Sequence, residues 1–143
     1  MKISTTLRYG LRFLVRLSME PEGGLNARQV ARAEGIPENY LRQIILLIEK
    51  SGLIKSKRGP RGGYFLSKDP EDIRVMEVVK ALQGESTLVP CFEEGACGRS
   101  EICAARELWK EAEESLRKVF EGKTLKDLAE RQKILEVKDG LSR

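Results

Sequence analysis

Cys91, Cys97 and Cys103 follow one another as C-x5-C-x5-C, in a stretch with neither helical nor strand periodicity. Gly95 and Gly98 beside them let the backbone fold so that three sulfurs converge. Thiolates are the ligands of iron–sulfur clusters and of structural zinc, but both usually take four. The spacing also lacks the C-x2–4-C knuckle of zinc sites. Spacing alone favours a metal or cluster; redox thiols and inert cysteines stay open. Cys103 is expected in the first turn of the last long helix, where the helix dipole favours an anion. Three cysteines cannot all pair within one chain, and the chain has no histidine. That removes histidine metal ligands and histidine-dependent catalytic dyads together.

A second set of residues points to nucleic acid. Residues 37–67 read PENYLRQIILLIEKSGLIKSKRGPRGGYFLS. Leu41, Ile44, Ile45 and Ile48 fall at i, i+3, i+4 and i+7, one apolar stripe of a helix. Asn39, Arg42, Gln43 and Lys50 lie off the stripe and are free to point outward. Pro37 suits a first helical position and Gly52 a left-handed terminator. LIKSK and YFLS then read as two strands around an RGPRGG turn, where Gly62 and Gly63 allow positive φ. Arg58 and Arg61 fall at its tip. An amphipathic helix beside a basic hairpin is the winged variant of helix-turn-helix.

The elements that must position these residues follow the chain. Ser4 or Thr5 caps a first helix running to about Met19, with Leu7, Leu11, Leu14 and Val15 on its apolar face. Arg8, Arg12 and Arg16 form a basic stripe along it, read as solvated surface ahead of a phosphate or subunit contact. Residues 20–24 are a turn. Asn26 opens a second helix with Gln29 completing a capping box, and Gly35 closes it. A short alanine-rich helix, a glycine and a longer amphipathic helix make the helix-turn-helix spacing. Asp69 caps a turn through Asp72. Val75, Met76, Val78, Val79 and Leu82 form another helix ended by Gly84. Residues 85–100 are a loop, and Ser100 is expected to cap a long helix. There Ala105, Leu108, Trp109, Ala112, Leu116, Val119 and Phe120 repeat at three and four, up to Gly122. So long an apolar face needs a covering surface, and a two-fold copy of itself is favoured over folding back. Thr124 to Arg131 reads as one more short helix, with residues 136–143 frayed.

The chain has 143 residues, with 41% hydrophobic and 34% charged. That is enough for a core and typical of a helix-rich soluble protein. The net charge of +4 is unevenly placed. Residues 28–68 hold nine Lys/Arg against three acids, a net of +6, which leaves −2 for the rest. Charge concentrated on one module is the footprint of phosphate binding. No apolar run follows Met1–Lys2, so no secretory signal is expected, and no stretch reaches the length of a membrane span. The expected location is the cytoplasm, where thiols stay reduced. No nucleotide-binding glycine loop and no nucleophile paired with a base is present, so an enzyme is not expected.

The chain resembles the family of winged-helix transcription regulators that includes the iron–sulfur cluster regulator IscR, the nitric-oxide-responsive NsrR and the cysteine-metabolism repressor CymR. The likeness covers nearly the whole chain. It is carried by RYGLRFL, PENYLRQI, SGLIKSKRGPRGGYFLSKDPEDI, the C-x5-C-x5-C loop and the LW six residues from the last cysteine. The resemblance implies a homodimer with crossed long helices on DNA. It also implies an iron–sulfur cluster on Cys91, Cys97 and Cys103 whose state changes DNA binding, with [2Fe-2S] favoured over [4Fe-4S]. Two positions depart. Where relatives carry a histidine three residues after the last cysteine, this chain has Arg106; where others carry an aspartate in the first helix, it has Arg8. Arginine stays protonated and is a poor ligand, which leaves the fourth ligand open.

The expected fold is mainly α with a two-stranded β wing, a winged helix-turn-helix followed by a long dimerisation helix. The expected parts are residues 1–84 for DNA, 85–103 as a cysteine sensor loop and 104–143 for dimerisation and tail. Arg28, Lys55 and Lys57 are candidates for phosphate. Asn39, Tyr40, Arg42 and Gln43 are candidates for major-groove edges, with core packing an equal alternative for Tyr40. Arg58 or Arg61 suits a flanking minor groove. The expected function is a homodimeric, operator-specific transcription regulator controlled by a cluster, with no membrane and no small-molecule substrate. The alternative is the same regulator without a cluster, responding through cysteine oxidation or a protein partner.

Overall fold

The first helix starts where Ser4 places a hydroxyl acceptor: its Oγ takes the Leu7 N–H at 3.1 Å. That fixes α1 as Thr5–Met19. The computed structural model describes residues 2–20, 22–84 and 88–140. The reciprocal Asn26–Gln29 box opens α2 (Ala27–Glu34), and Gly35 closes it at φ 64°, a left-handed angle that glycine takes without strain. α3 (Glu38–Lys50) follows α2 after three residues, Gly35 to Pro37. Pro37 stands just before its first turn, with a fixed φ of −57° and extended ψ, rather than inside it. Gly52 takes φ 82° and turns the chain into the hairpin.

Strands β1 (Ile54–Lys57) and β2 (Gly63–Leu66) pair antiparallel, with Ile54 opposite Leu66 and Lys57 opposite Gly63. Leu25 and Tyr64 exchange backbone hydrogen bonds, which ties the wing to the loop before α2. Asp69 caps the 3-10 turn Pro70–Asp72, and α4 (Val75–Gln83) ends at Gly84. α5 (Ala104–Glu121) and α6 (Leu125–Lys138) complete a mainly α fold with one two-stranded wing.

The core is built around α1. Phe13 and Leu14 are fully buried, and so are Leu41, Ile44, Ile45 and Ile48 of α3 and Val78 of α4. α1 packs against α2, α3, α4, β2 and α6. The last helix is longer than its sequence suggests. It runs on through Lys138, because Leu125 and Ala129 are buried and Glu136 meets Arg16. Its start is held by a backbone bridge between Arg74 and Thr124, with the Leu125 N–H bonded to the Ile73 carbonyl at 3.0 Å. Of the tail expected to fray, residues 136–138 are helical and 141–143 lie outside the described residues.

The basic stripe of α1 is not merely solvated. Arg12 binds Glu34 through its Nε at 3.1 Å, and Arg16 bridges Glu34 and Glu136. Arg16, Glu34 and Glu136 are 17%, 11% and 15% exposed, so the bridge joins α1, α2 and α6 largely out of water. Arg8 alone stays open, beside Thr5 and the Tyr9 ring. The hydrogen bond from Arg16 lowers the Glu136 carboxyl below its ordinary 4.5, against the opposing effect of burial. A carboxyl lowered on folding stabilises the fold above its unfolded value. That stabilisation disappears as pH falls below 4.5 and through the folded value. Arg16→Ala is therefore expected to lower stability by about 2–3 kcal/mol at pH 7, less than for a fully buried pair because some exposure remains. It should also flatten the acid limb of a urea-denaturation series, while Arg8→Ala stays within about 0.5 kcal/mol of the parent.

Candidate nucleic-acid interface and cysteine segment

α3 divides its residues by helical spacing. One side is the buried stripe; Asn39, Arg42 and Gln43 are exposed on the other, with Lys50 two turns further along. Asn39 and Gln43 make no side-chain hydrogen bond to a described residue, so both amides are free for a ligand. Tyr40 sits apart from them. It is half-buried, its ring edge-on to Tyr9 at 5.8 Å and its hydroxyl 3.5 Å from Thr6 Oγ1. That placement joins Tyr40 to the core side and takes it away from the open face.

Arg42 is held by a carboxylate of its own helix. Its Nε and Nη2 both donate to Glu38 Oε2, at 3.0 and 2.9 Å. Glu38 stands one turn earlier, the i, i+4 relation that supports such pairs. A guanidinium has two forked edges. The carboxylate takes the Nε side, which leaves the Nη1/Nη2 edge for a base or phosphate. Glu38 thus orients Arg42 without occupying all of it.

The wing and the start of α2 carry the remaining cations. Lys55, Lys57, Arg58 and Arg61 are all exposed, and Arg28 is exposed at the start of α2. Arg28, Lys55, Arg58 and Arg61 form no ion pair with a described residue. The Lys57 ammonium lies 4.8 Å from the centre of the Phe65 ring across the hairpin, which restrains a long side chain. Ser56 Oγ donates to Glu49 Oε1 at 3.2 Å and fastens the wing to α3. The turn obtains its shape from Gly59 and Gly63, at φ 101° and 127°. Gly62 contributes closeness instead of a positive φ: a Cβ there would stand 2.3 Å from the Lys57 carbonyl oxygen.

The cysteine segment lies between α4 and α5. Residues 85–87, at the start of the expected loop, are outside the described residues. The rest is a run of single turns: Pro90–Phe92 and Ser100–Ile102 are 3-10 helical, and Ala96 bonds back to Glu93. Ser100 opens one of these turns instead of capping α5. Cys103 is extended, φ −114° and ψ 106°, and stands at the N-cap of α5 rather than in its first turn. The segment is tied to α5 at two points. The Leu88 N–H donates to Glu113 Oε1 at 3.2 Å, and the Arg106 guanidinium covers the Phe92 ring at 5.6 Å.

All three cysteines are free thiols, Cys97 exposed and the other two half-buried. Among the described residues no three of His, Cys, Asp and Glu converge on a metal-binding point. The donors have the right chemistry for iron: three unpaired sulfurs, with the carboxylates of Glu93, Glu94 and Glu101 on the same segment. Gly95 and Gly98 have open space around them, so the turns are able to close. Arg106, at the position of the missing histidine, has a buried Nε with no partner.

This arrangement, a helix-turn-helix with its second helix open on the polar side and a basic hairpin beside it, defines a winged-helix DNA-binding protein. The chain belongs to the Rrf2 family, described as iron-dependent transcriptional regulator, whose pattern matches residues 3–131. It is 35% identical over 130 residues to the HTH-type transcriptional regulator CymR of Bacillus subtilis, covering 90% of each chain. It is 30% identical over 140 residues to the HTH-type transcriptional regulator IscR of Citrobacter koseri, covering 97% of this chain and 86% of that one. The solved structure of CymR, the global cysteine regulator of B. subtilis, superposes with a TM-score of 0.80 at 33% identity. That superposition covers 92% of this chain and 98% of the other. These relatives are transcription regulators, not enzymes.

The wing geometry yields a direct test. Gly62→Ala must push the Lys57 carbonyl outward, and is expected to lower stability by about 1–3 kcal/mol, as overpacking does. The amide resonances of residues 57–63 should move while those of α1 stay in place.

Proposed function

We propose that the chain is a homodimeric, operator-specific DNA-binding regulator whose affinity is set by an iron–sulfur cluster on Cys91, Cys97 and Cys103. One observation carries the reading. Three unpaired thiols and no histidine lie on the segment that runs directly into α5, and α5 has an apolar face with nothing fully buried on it. Leu108 and Trp109 are 55% and 41% exposed and Val119 is 60%. A second copy would cover them, and a two-fold pair is the commonest closed assembly. The family description as iron-dependent, and the relation to IscR, support the metal.

The parts then divide the work. Residues 1–84 hold DNA, 85–103 sense, and within 104–143 α5 pairs the subunits while α6 braces α1. Two α3 helices reach successive major grooves, roughly 34–36 Å apart or a multiple. Arg28, Lys55 and Lys57 contact phosphates, which sets register without sequence. Asn39, Arg42 and Gln43 meet base edges, with arginine best on guanine and glutamine on adenine. Arg58 or Arg61 enters a flanking minor groove. When bound, the cluster supplies a redox-sensitive crosslink among three sulfurs, [2Fe-2S] ahead of [4Fe-4S]. Glu113 and Arg106 fasten the same segment to α5, so a change in the loop is passed to the helix that sets subunit spacing. Among the described residues no helix is long and apolar enough to cross a membrane. A place in the cytoplasm with the DNA fits the reading.

Arg42→Ala should lower operator affinity by about 1–3 kcal/mol and relax one base position, read by competition between operator and random duplex. Lys57→Ala should weaken both duplexes alike and reduce the salt slope by about one. Full discrimination in Arg42→Ala would move the reading face elsewhere. Protein purified without oxygen should be brown, with about two or four irons per chain, and the colour should be lost in Cys97→Ala. Holo and apo forms should differ about 5- to 150-fold on operator. A colourless protein after reconstitution with iron and sulfide, still binding operator, would assign the cysteines to thiol oxidation.

A further inference from the structure

The outward face of α3 is not wholly polar. Leu46 is 57% exposed there. It lies four residues after Arg42, three after Gln43 and four before Lys50, so all three are its neighbours on the helix surface. The core makes no demand on it, because Leu41, Ile44, Ile45 and Ile48 already fill the inner stripe and are buried. Leu47, 44% exposed, lies on the flank beside Gln43 and Lys50 but away from Arg42, and an exposed leucine needs no special reason as such. The location of Leu46 is informative: it is surrounded by the amide, guanidinium and ammonium groups that face outward beside a basic wing.

We infer that Leu46 is a specificity-determining residue, packing on the 5-methyl of a thymine in each half-site and excluding cytosine from that position. This rests on the reading of α3 as the base-contacting helix. The chemistry is restrictive. The thymine methyl is the one bulky apolar group in the major groove; cytosine has only a hydrogen there, beside its amino donor. A leucine over the cytosine amino group would cover a donor and offer it nothing, and an unmatched buried donor is unfavourable. Over a methyl, the same side chain removes apolar surface from water on both partners. The flanking cations and the net +6 of residues 28–68 match a phosphate-lined groove and not an apolar protein surface.

The test uses full-length protein and random duplex DNA. Sequences are selected with the wild type and with Leu46→Ala, whose melting curve should match the wild type because the residue is exposed. The wild type is expected to fix thymine at one position per half-site, and Leu46→Ala to keep the rest of the site and lose that thymine. Synthetic sites with deoxyuridine in place of it lack only the methyl. They should bind the wild type about 4-fold more weakly per half-site, the value of one buried methyl group, and Leu46→Ala without change. An unaltered thymine preference in Leu46→Ala, or wild-type indifference to deoxyuridine, overturns the assignment while leaving base reading by α3 intact. No enriched sequence with the wild type removes base reading by α3, and the role of Leu46 with it.

Discussion

Burial of the inner stripe of α3 against α1 is the constraint on which the rest depends. Leu41, Ile44, Ile45 and Ile48 have almost no accessible surface and share one core with Phe13 and Leu14 of α1, whose Gly10 lies against Ile44 and Ile48. Truncating one such residue typically costs about 2–5 kcal/mol, a large share of a small protein's stability. Because the stripe is locked, rotation of α3 about its axis is locked too. Asn39, Arg42, Gln43 and Leu46 then share one outward side without any contact among themselves being needed to hold them. The wing inherits the same frame through Ser56 and Glu49, and through the backbone bridge of Tyr64 to Leu25.

The C-terminal half is built differently. α6 is part of the core, with Leu125 buried and Glu136 on Arg16, so the end of the chain braces α1 from behind. α5 has no fully buried residue and leaves Leu108, Trp109 and Val119 open. The cysteine segment is thus joined to an element whose apolar face stays largely uncovered within the single chain. A segment of isolated turns, fastened at Glu113 and Arg106, is a suitable place for a signal because little packing opposes its rearrangement.

Much of this was legible in the residues. The i, i+3, i+4, i+7 stripe of α3, the Asn26–Gln29 box, Gly35 and the RGPRGG turn each specify local geometry, and local geometry is what short-range pattern encodes. Long-range electrostatics was not legible. Arg12 and Arg16 read as a solvated stripe because their partners lie 22 and 120 residues away, at Glu34 and Glu136. The length of α6 was missed for the same reason: its last turns are fixed by α1, not by their own periodicity. Cys103 fell outside α5 because a 3-10 turn at Ser100–Ile102 intervenes, which spacing alone does not distinguish from a helix start. Glu38 differs in having a local signal, its four-residue separation from Arg42.

The most direct measurement is a hydroxyl-radical footprint of the full-length protein on a bound genomic fragment, taken without oxygen. Two matching protected patches on one side of the duplex, centred one helical turn or a multiple apart, are the predicted result. Each should be flanked by minor-groove protection from a wing. Diffuse protection that spreads along the fragment and disappears at moderate salt would contradict the account. It would show basic residues holding phosphates with no face of α3 reading sequence.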